Sequence, residues 1–370
     1  MRAPRFLIAP DKFKGTLSAR EAAEAIARGV RRAHPDAEVL LMPIADGGEG
    51  TAEILGTAWN AERRNARVTG PGDAPVEAPW WIDPSGRAVF DSAAACGLWM
   101  VQPKDRAPGR LTTRGVGEMI RACVDAGARE VWVALGGSAT VDGGIGMAAA
   151  LGWRFIDSNN HAINDPRGDD LSRIARAEPG PALQARVVGI CDVRTELTGP
   201  HGCAATYGPQ KGAAPADVQR LDQGLTNLRR LMGGVRFDGE GSAGGLGFGL
   251  AAFCGAKLER GARLILDAIG FDRAASASDL VITGEGAFDA TSFQGKATGE
   301  VLSRCAALGV RALVVAGRVD THRSGLHAVT CDGHGDPAQR LEDATAAAIT
   351  GDAPTGKPAT GTRNRRNPCR

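Results

Sequence analysis

Short continuous apolar runs recur along the chain, each closed by proline, glycine or an acid. "RFLIAP" ends at Pro10, "EVLLMP" ends at Pro43, and "EVWVAL", "ARVVGI", "DLVIT" and "RALVVA" follow. Runs of this kind mark strands covered on both faces, as in parallel sheets. Between the first two runs the spacing changes. Ala22, Ala25, Ile26 and Val30 recur at helical intervals behind Ser18, and Glu21 completes a capping box. The strand candidates feed glycine-rich or acidic loops: "ADGGEG", "GGSATVDGG", "CDV", "GEGAFDA" and "GRVD". Helices are predicted near 145–151 and after Gly299. The alternation predicts an α/β fold. "PWWIDPSGRAVFDS" departs from it and reads as a hairpin, so a second domain is expected after about Trp80.

The chain has 370 residues, beyond the size at which one core stops growing, which again suggests two domains. Its 51 glycines show no collagen-like period and fit an enzyme of many tight loops. A formal net charge of +2 offers no footprint for nucleic acid. No segment has the length of a membrane span and no signal sequence opens the chain, so a cytoplasmic protein without a membrane partner is expected. The eight cysteines form no CxxC pair. Cys96, Cys123, Cys191 and Cys254 read as small core residues and not as metal ligands. Residues 351–370, poor in large apolar groups, are expected to be a disordered tail.

In open α/β sheets, ligands bind beyond the carboxyl ends of the strands, where the loops above are expected. "GGSATVDGG" suits an anion, since Gly136 and Gly137 allow close approach while Ser138 and Thr140 add hydroxyl donors. Asp46, Glu49, Asp142, Asp192, Glu285 and Asp289 fall in or beside these loops. Carboxylates near a phosphate site repel the ligand unless a cation intervenes, and Mg²⁺ held by one or two carboxylates together with phosphates resolves this. Each acid has a plainer reading as a helix cap or Asx turn, Asp46 above all. Lys12, Lys14, Lys211 and Lys296 stand among glycines or prolines and supply balancing charge.

Two motifs fail on inspection. "GDAPTGKP" has Pro358 where a P-loop needs Ser or Thr, and "GFGLAA" lacks a preceding strand. There is no GxSxG, and the histidines lack metal-ligand spacing.

Taken in order, "IAPDKFKGTLSAREAAEAIARGV", "PIADGGEGTAEIL", "LTTRGVGEMI", "LGGSATVDGGIGMAAALG", "CDVRTELTGPHGCAATYGPQKGA", "LVITGEGAFDATSFQGKATGEV" and "VVAG" resemble the bacterial glycerate kinase family from about Phe6 to Gly317. The resemblance implies transfer of the ATP γ-phosphoryl group to D-glycerate with Mg²⁺, mostly at the 2-hydroxyl. It also implies two α/β domains with the active site in the cleft between them. A flavodoxin-like parallel-sheet domain formed by both chain ends is expected at 1–79 and 291–350, and an inserted α/β domain at 80–290. The expected roles follow from motif matching. Asp192 accepts the hydroxyl proton, with Lys296 as a second catalytic group; Asp11, Lys14 and Lys211 bind substrate. Gly47, Gly48, Gly136, Gly137, Ser138 and Thr140 hold phosphate, and Asp46, Glu285 and Asp289 serve the metal. A homodimer is compatible with this reading. Asp91, Arg114 and Thr298 depart from the common pattern, and the match weakens after Gly317. The rival readings are a 3-hydroxyl kinase, a kinase of another small hydroxy acid, and a ligand-binding sensor; the retained acids and lysines argue against the sensor.

Overall fold

A computed structural model describes residues 2–234, 236–293, 295–321, 326–331 and 333–350. The expected disorder of 351–370 lies outside them. Thirteen strands occur among the described residues: β1 Arg5–Ile8, β2 Glu38–Leu41, β3 Glu62–Thr69, β4 Pro75–Ile82, β5 Arg87–Asp91, β6 Glu130–Ala134, β7 Arg154–Asp157, β8 Ile174–Glu178, β9 Arg186–Ile190, β10 Lys257–Glu259, β11 Leu280–Phe288, β12 Ala312–Val319 and β13 His327–Thr330.

They sort into two compact units. The first takes the described residues within Met1–Met42, Asp272–Ala290 and Val301–Arg370, and the second takes Pro43–Phe271 and Thr291–Glu300. The expected borders at 79 and 291 therefore shift. Pairing explains the shift. β11 lies parallel to β1 and belongs with the chain ends. β3 and β4 pair antiparallel and β4 continues onto β5, which draws the segment before residue 80 into the other sheet.

The first unit has an all-parallel sheet in the order β13-β12-β11-β1-β2. Numbered within the unit, that is the flavodoxin-like order 2-1-3-4-5, whose switch point falls between β1 and β11. The helix Ala19–Ala33 forms as expected: Ser18 Oγ accepts from the Glu21 amide, and the Glu21 carboxylate accepts from the Ser18 amide. Its apolar stripe, with Ile26 and Val30, packs with Ile8, Ile282, Leu313 and Leu341 in one core.

The second unit holds a six-stranded sheet in the order β10-β9-β6-β5-β4-β3 and the small β7-β8 pair. β5, β6, β9 and β10 run parallel. The runs are apolar throughout because both faces are covered. Phe90, Val131 and Val133 join the main core, whereas Val89, Trp132, Val188 and Ile190 pack on the other side with Leu55 and Ile265 of the helices Thr51–Ala58 and Gly261–Ala268. The expected hairpin is the β4–β5 pair. "GFGLAA" lies inside the helix Ser242–Cys254, which confirms that it is no dinucleotide turn.

Candidate functional site

In the second unit the loops at the carboxyl ends of β5, β6, β9 and β10 meet the segment 43–50. Gly50 begins the helix Thr51–Ala58 with φ of 94° and has no side chain to cap it. Asp91, at the end of β5, does so instead: its carboxylate accepts from the Gly50 amide at 2.7 Å and the Ala52 amide at 2.9 Å. The departure from the familial pattern at this position thus has a structural task. Gly48 lies so near Gly136 that a Cβ on Gly136 would meet Gly48 Cα at 3.0 Å. Gly137 adopts φ of 62°, and a Cβ there would stand 3.7 Å from Glu49 Oε2. Only glycines allow the two loops to touch through their backbones.

Of the residues expected to hold phosphate, Gly48, Gly136 and Gly137 reach the surface, while Gly47, Ser138 and Thr140 are buried. Lys211 explains part of that burial. Its Nζ donates to Ser138 Oγ at 2.9 Å and to the Thr140 carbonyl at 2.8 Å. Only 4% exposed, it is pushed down to about 8 by burial. The expectation that Lys211 binds substrate is corrected here: glycine neighbours suggested an open loop, but the side chain points inward and braces one. Asp142 is likewise interior. It accepts from Thr113 Oγ1 at 2.7 Å and from the Thr113 and Gly144 amides, each at 3.0 Å. Burial raises its pKa despite those bonds, so the carboxyl holds its proton more tightly than an exposed one.

Asp192 follows β9. Its Oδ2 accepts from the Ala262 amide at 2.9 Å, in the first turn of the helix Gly261–Ala268. Its Oδ1 is buried and has no hydrogen-bond partner among the described residues. Burial, with the nearby negative charge of Asp46 adding to it, raises Asp192 to about 7; the Ala262 bond works against this. Asp46 itself forms the expected Asx turn, Oδ1 accepting from the Gly48 amide at 3.1 Å. Gly47, at φ of 87°, is wedged in: a Cβ would meet Gly261 Cα at 3.0 Å, Ile190 Cγ2 at 3.1 Å and Cys191 Cα at 3.3 Å. A pocket of about 380 Å³ opens beside Asp192, with Arg194, Asp238, Arg260 and Arg263 in its wall. Arg194 and Arg260 escaped the sequence reading because β10, "KLE", is too short and polar to signal a strand, so nothing marked Arg260 as a strand-end residue.

In the first unit, Asp11, Lys14 and Glu285 lie near the switch point, and Asp289 directly follows β11. Asp11 donates its amide to the Gly284 carbonyl at 2.8 Å, and its Oδ1 accepts from the Lys12 amide at 2.7 Å. Gly286 lets the β1 loop lie over β11, since a Cβ there would be 3.4 Å from the Lys14 amide. Asp11 and Glu285 are buried, Asp289 is half-buried and Lys14 is exposed. The metal set expected from sequence is therefore divided, Asp46 in one unit and Glu285 and Asp289 in the other. Among the described residues no three His, Cys, Asp or Glu side chains form a ready cage. Lys296 is half-buried just before the helix Ala297–Leu308, its carbonyl accepting from the Glu300 amide at 3.1 Å.

Comparison with known proteins adds sequence-wide information. A model of the glycerate kinase family matches residues 6–351. A protein of Bacillus subtilis (strain 168) named glycerate kinase is 40% identical over 335 residues, which cover 87% of each chain. One of Escherichia coli (strain K12) named glycerate 2-kinase is 39% identical over 302 residues, 79% of each chain. A crystal structure assigned as glycerate kinase 2 from Salmonella typhimurium LT2 superposes with a TM-score of 0.81 at 35% identity, covering 94% of this chain and 98% of that one.

Proposed function

The chain belongs to the glycerate kinase family, and from that premise we propose that it transfers the γ-phosphoryl group of ATP to the 2-hydroxyl of D-glycerate, yielding 2-phosphoglycerate and ADP. The observation that carries the chemistry is Asp192, a carboxylate fixed by the Ala262 amide, raised to about 7 and holding a second oxygen without a partner. A proton acceptor is most effective when its affinity for the proton matches the working pH.

Phosphoryl transfer asks a protein chiefly for positioning and charge neutralisation. In this reading the 2-hydroxyl oxygen bonds to the γ-phosphorus as the bond to the ADP oxygen breaks, and the hydroxyl proton passes to Asp192. The Gly136 and Gly137 backbone, with Gly48 beside it, offers close approach to phosphate. Ser138 and Thr140 act behind it, on the Lys211 brace. Lys296 balances charge, and within the first unit Lys14 and Asp11 keep the charge-balancing and substrate roles that the motif match suggests.

Mg²⁺ fits the donor set. Asp46 and Asp192 crowd negative charge into one place, and a cation of this type needs only one or two carboxylates besides phosphate and water. Asp46 is the residue of the second unit we assign to it. Bound there, the ion would neutralise the β- and γ-phosphate oxygens. Incubation with ATP, Mg²⁺ and D-glycerate followed by phosphorus NMR tests the reading. A 2-phosphoglycerate resonance is expected; 3-phosphoglycerate would overturn the position, and no product from folded protein would overturn the substrate.

A further inference from the structure

Any acceptor of the proposed reaction that is a hydroxy acid brings a carboxylate, ionised at neutral pH, within one small-molecule length of Asp192. That charge needs a cation, and Lys211 is unavailable: it is buried with bonds to Ser138 and Thr140. We infer that Arg194 and Arg260 form the seat of the acceptor's carboxylate, an assignment that rests on the kinase reading above.

The strand ends set the position. β9 and β10 pair in parallel with Ile190 beside Glu259, and the Cys191 amide donates to the Glu259 carbonyl at 3.1 Å. Arg260 directly follows β10 and Arg194 lies four residues past the end of β9. Both share the wall of the 380 Å³ pocket with Asp192. Asp238 shows that the two guanidinium groups already converge on a carboxylate: its Oδ2 lies 3.9 Å from Arg194 Nε and 3.9 Å from Arg260 Nη2. That spacing is too long for a hydrogen bond. The Asp238 side chain is 76% exposed, and those of Arg194 and Arg260 are 63% and 55% exposed. Such a pair is weak and exchangeable. A ligand carboxylate can replace Asp238 and engage the planar donors directly, which a point-charge lysine would do less specifically. With the carboxylate held here, the acceptor lies in the pocket that Asp192 also lines. The seat selects 2-hydroxy acids over uncharged polyols.

The test compares wild type with Arg194→Ala, Arg260→Ala, the double variant and Asp238→Asn, all checked by thermal melting. All these side chains are exposed, so the folds are expected to persist. Each arginine loss should raise KM for D-glycerate about 10- to 100-fold, as loss of a charge-assisted bond does, with KM for ATP within about twofold. Asp238→Asn, which removes a competitor for the seat, should lower KM for D-glycerate. Unchanged KM for D-glycerate in the double variant, with an active wild type, overturns the seat and leaves the kinase reading standing. Should wild type form no product, titration calorimetry with D-glycerate decides separately. Binding abolished by the double variant supports the seat while overturning the reaction. Absent or arginine-independent binding overturns the seat as well.

Discussion

Lys211 Nζ stands 2.9 Å from Ser138 Oγ, so a buried ammonium group ties the loop after β6 to the turn Pro209–Lys211. Lys211→Met keeps the stem and removes the donors. Because burying the charge is itself unfavourable, the melting free energy should move by no more than about 1–2 kcal/mol. The loop that presents Gly136 and Gly137 loses its brace, and kcat/KM for ATP should fall about tenfold or more. Calorimetric melts and initial rates read the two effects separately.

Asp192→Asn keeps the shape and an acceptor for the Ala262 amide. Turnover should drop by about 10²–10⁴, the usual share of a general base, with the circular dichroism spectrum unchanged. Near-normal turnover would remove Asp192 from the proton-transfer role.

The same variant has a stability signature. Folding raises Asp192 from 3.8 to about 7, so the folded protein binds the proton more tightly than the unfolded chain. The stability this contributes is complete below pH 3.8 and is lost as pH rises through about 7. Asp192→Asn should therefore gain on wild type from about pH 3.8 to about pH 7, by at most about 1.4 kcal/mol per pH unit, and level off above. Melts in EDTA without nucleotide measure this; a constant difference would refute it.

Gly47→Ala places a methyl group at φ of 87° against backbone atoms of Gly261 and Cys191. Strain and contact together should destabilise the protein by about 1–3 kcal/mol and move Asp46 away from Asp192. A downward shift in the pH dependence of kcat, alongside the lower melting temperature, is the expected pair of readings.

Glu240 and Arg229 form an almost completely buried ion pair, and Glu240 also accepts from the Leu197 amide at 3.1 Å. Glu240→Ala leaves Arg229 charged and unpaired in the interior. The expected loss is about 3–5 kcal/mol, seen as a lower urea midpoint.

The strands that were legible in the sequence are those with both faces covered, as Val131, Trp132 and Val133 show by dividing between two cores. β3, "ERRNARVT", carries charges along an edge, and β10 has only three residues; neither has a pattern to read. The border expected at 79 shifts for the same reason, since without β3 the hairpin at 75–91 lacks its partner. The strand-end position of Asp192 was legible because an acid after an apolar run lands where the strand stops. The inward turn of Lys211 was not, because glycine flanks describe backbone freedom and say nothing of side-chain direction. Asp91 stood out in sequence only as a departure; its pairing with Gly50 needs the fold.

Construction of the first sheet from both chain ends has a consequence for biosynthesis. Thr283 Oγ1 donates to the Ala9 carbonyl across 274 positions of chain, and β1 has no second neighbour until β11 emerges. At about 5–20 residues per second on a ribosome, that wait is on the order of tens of seconds. Pro43–Phe271 is complete by then and can fold as a nearly continuous unit. Meanwhile β1 and β2 trail as an apolar ribbon with an open edge, the kind of segment that chaperones shield and that pairs wrongly between nascent chains. The order of synthesis therefore leaves the N-terminal strands waiting for β11, although they are the first to be made.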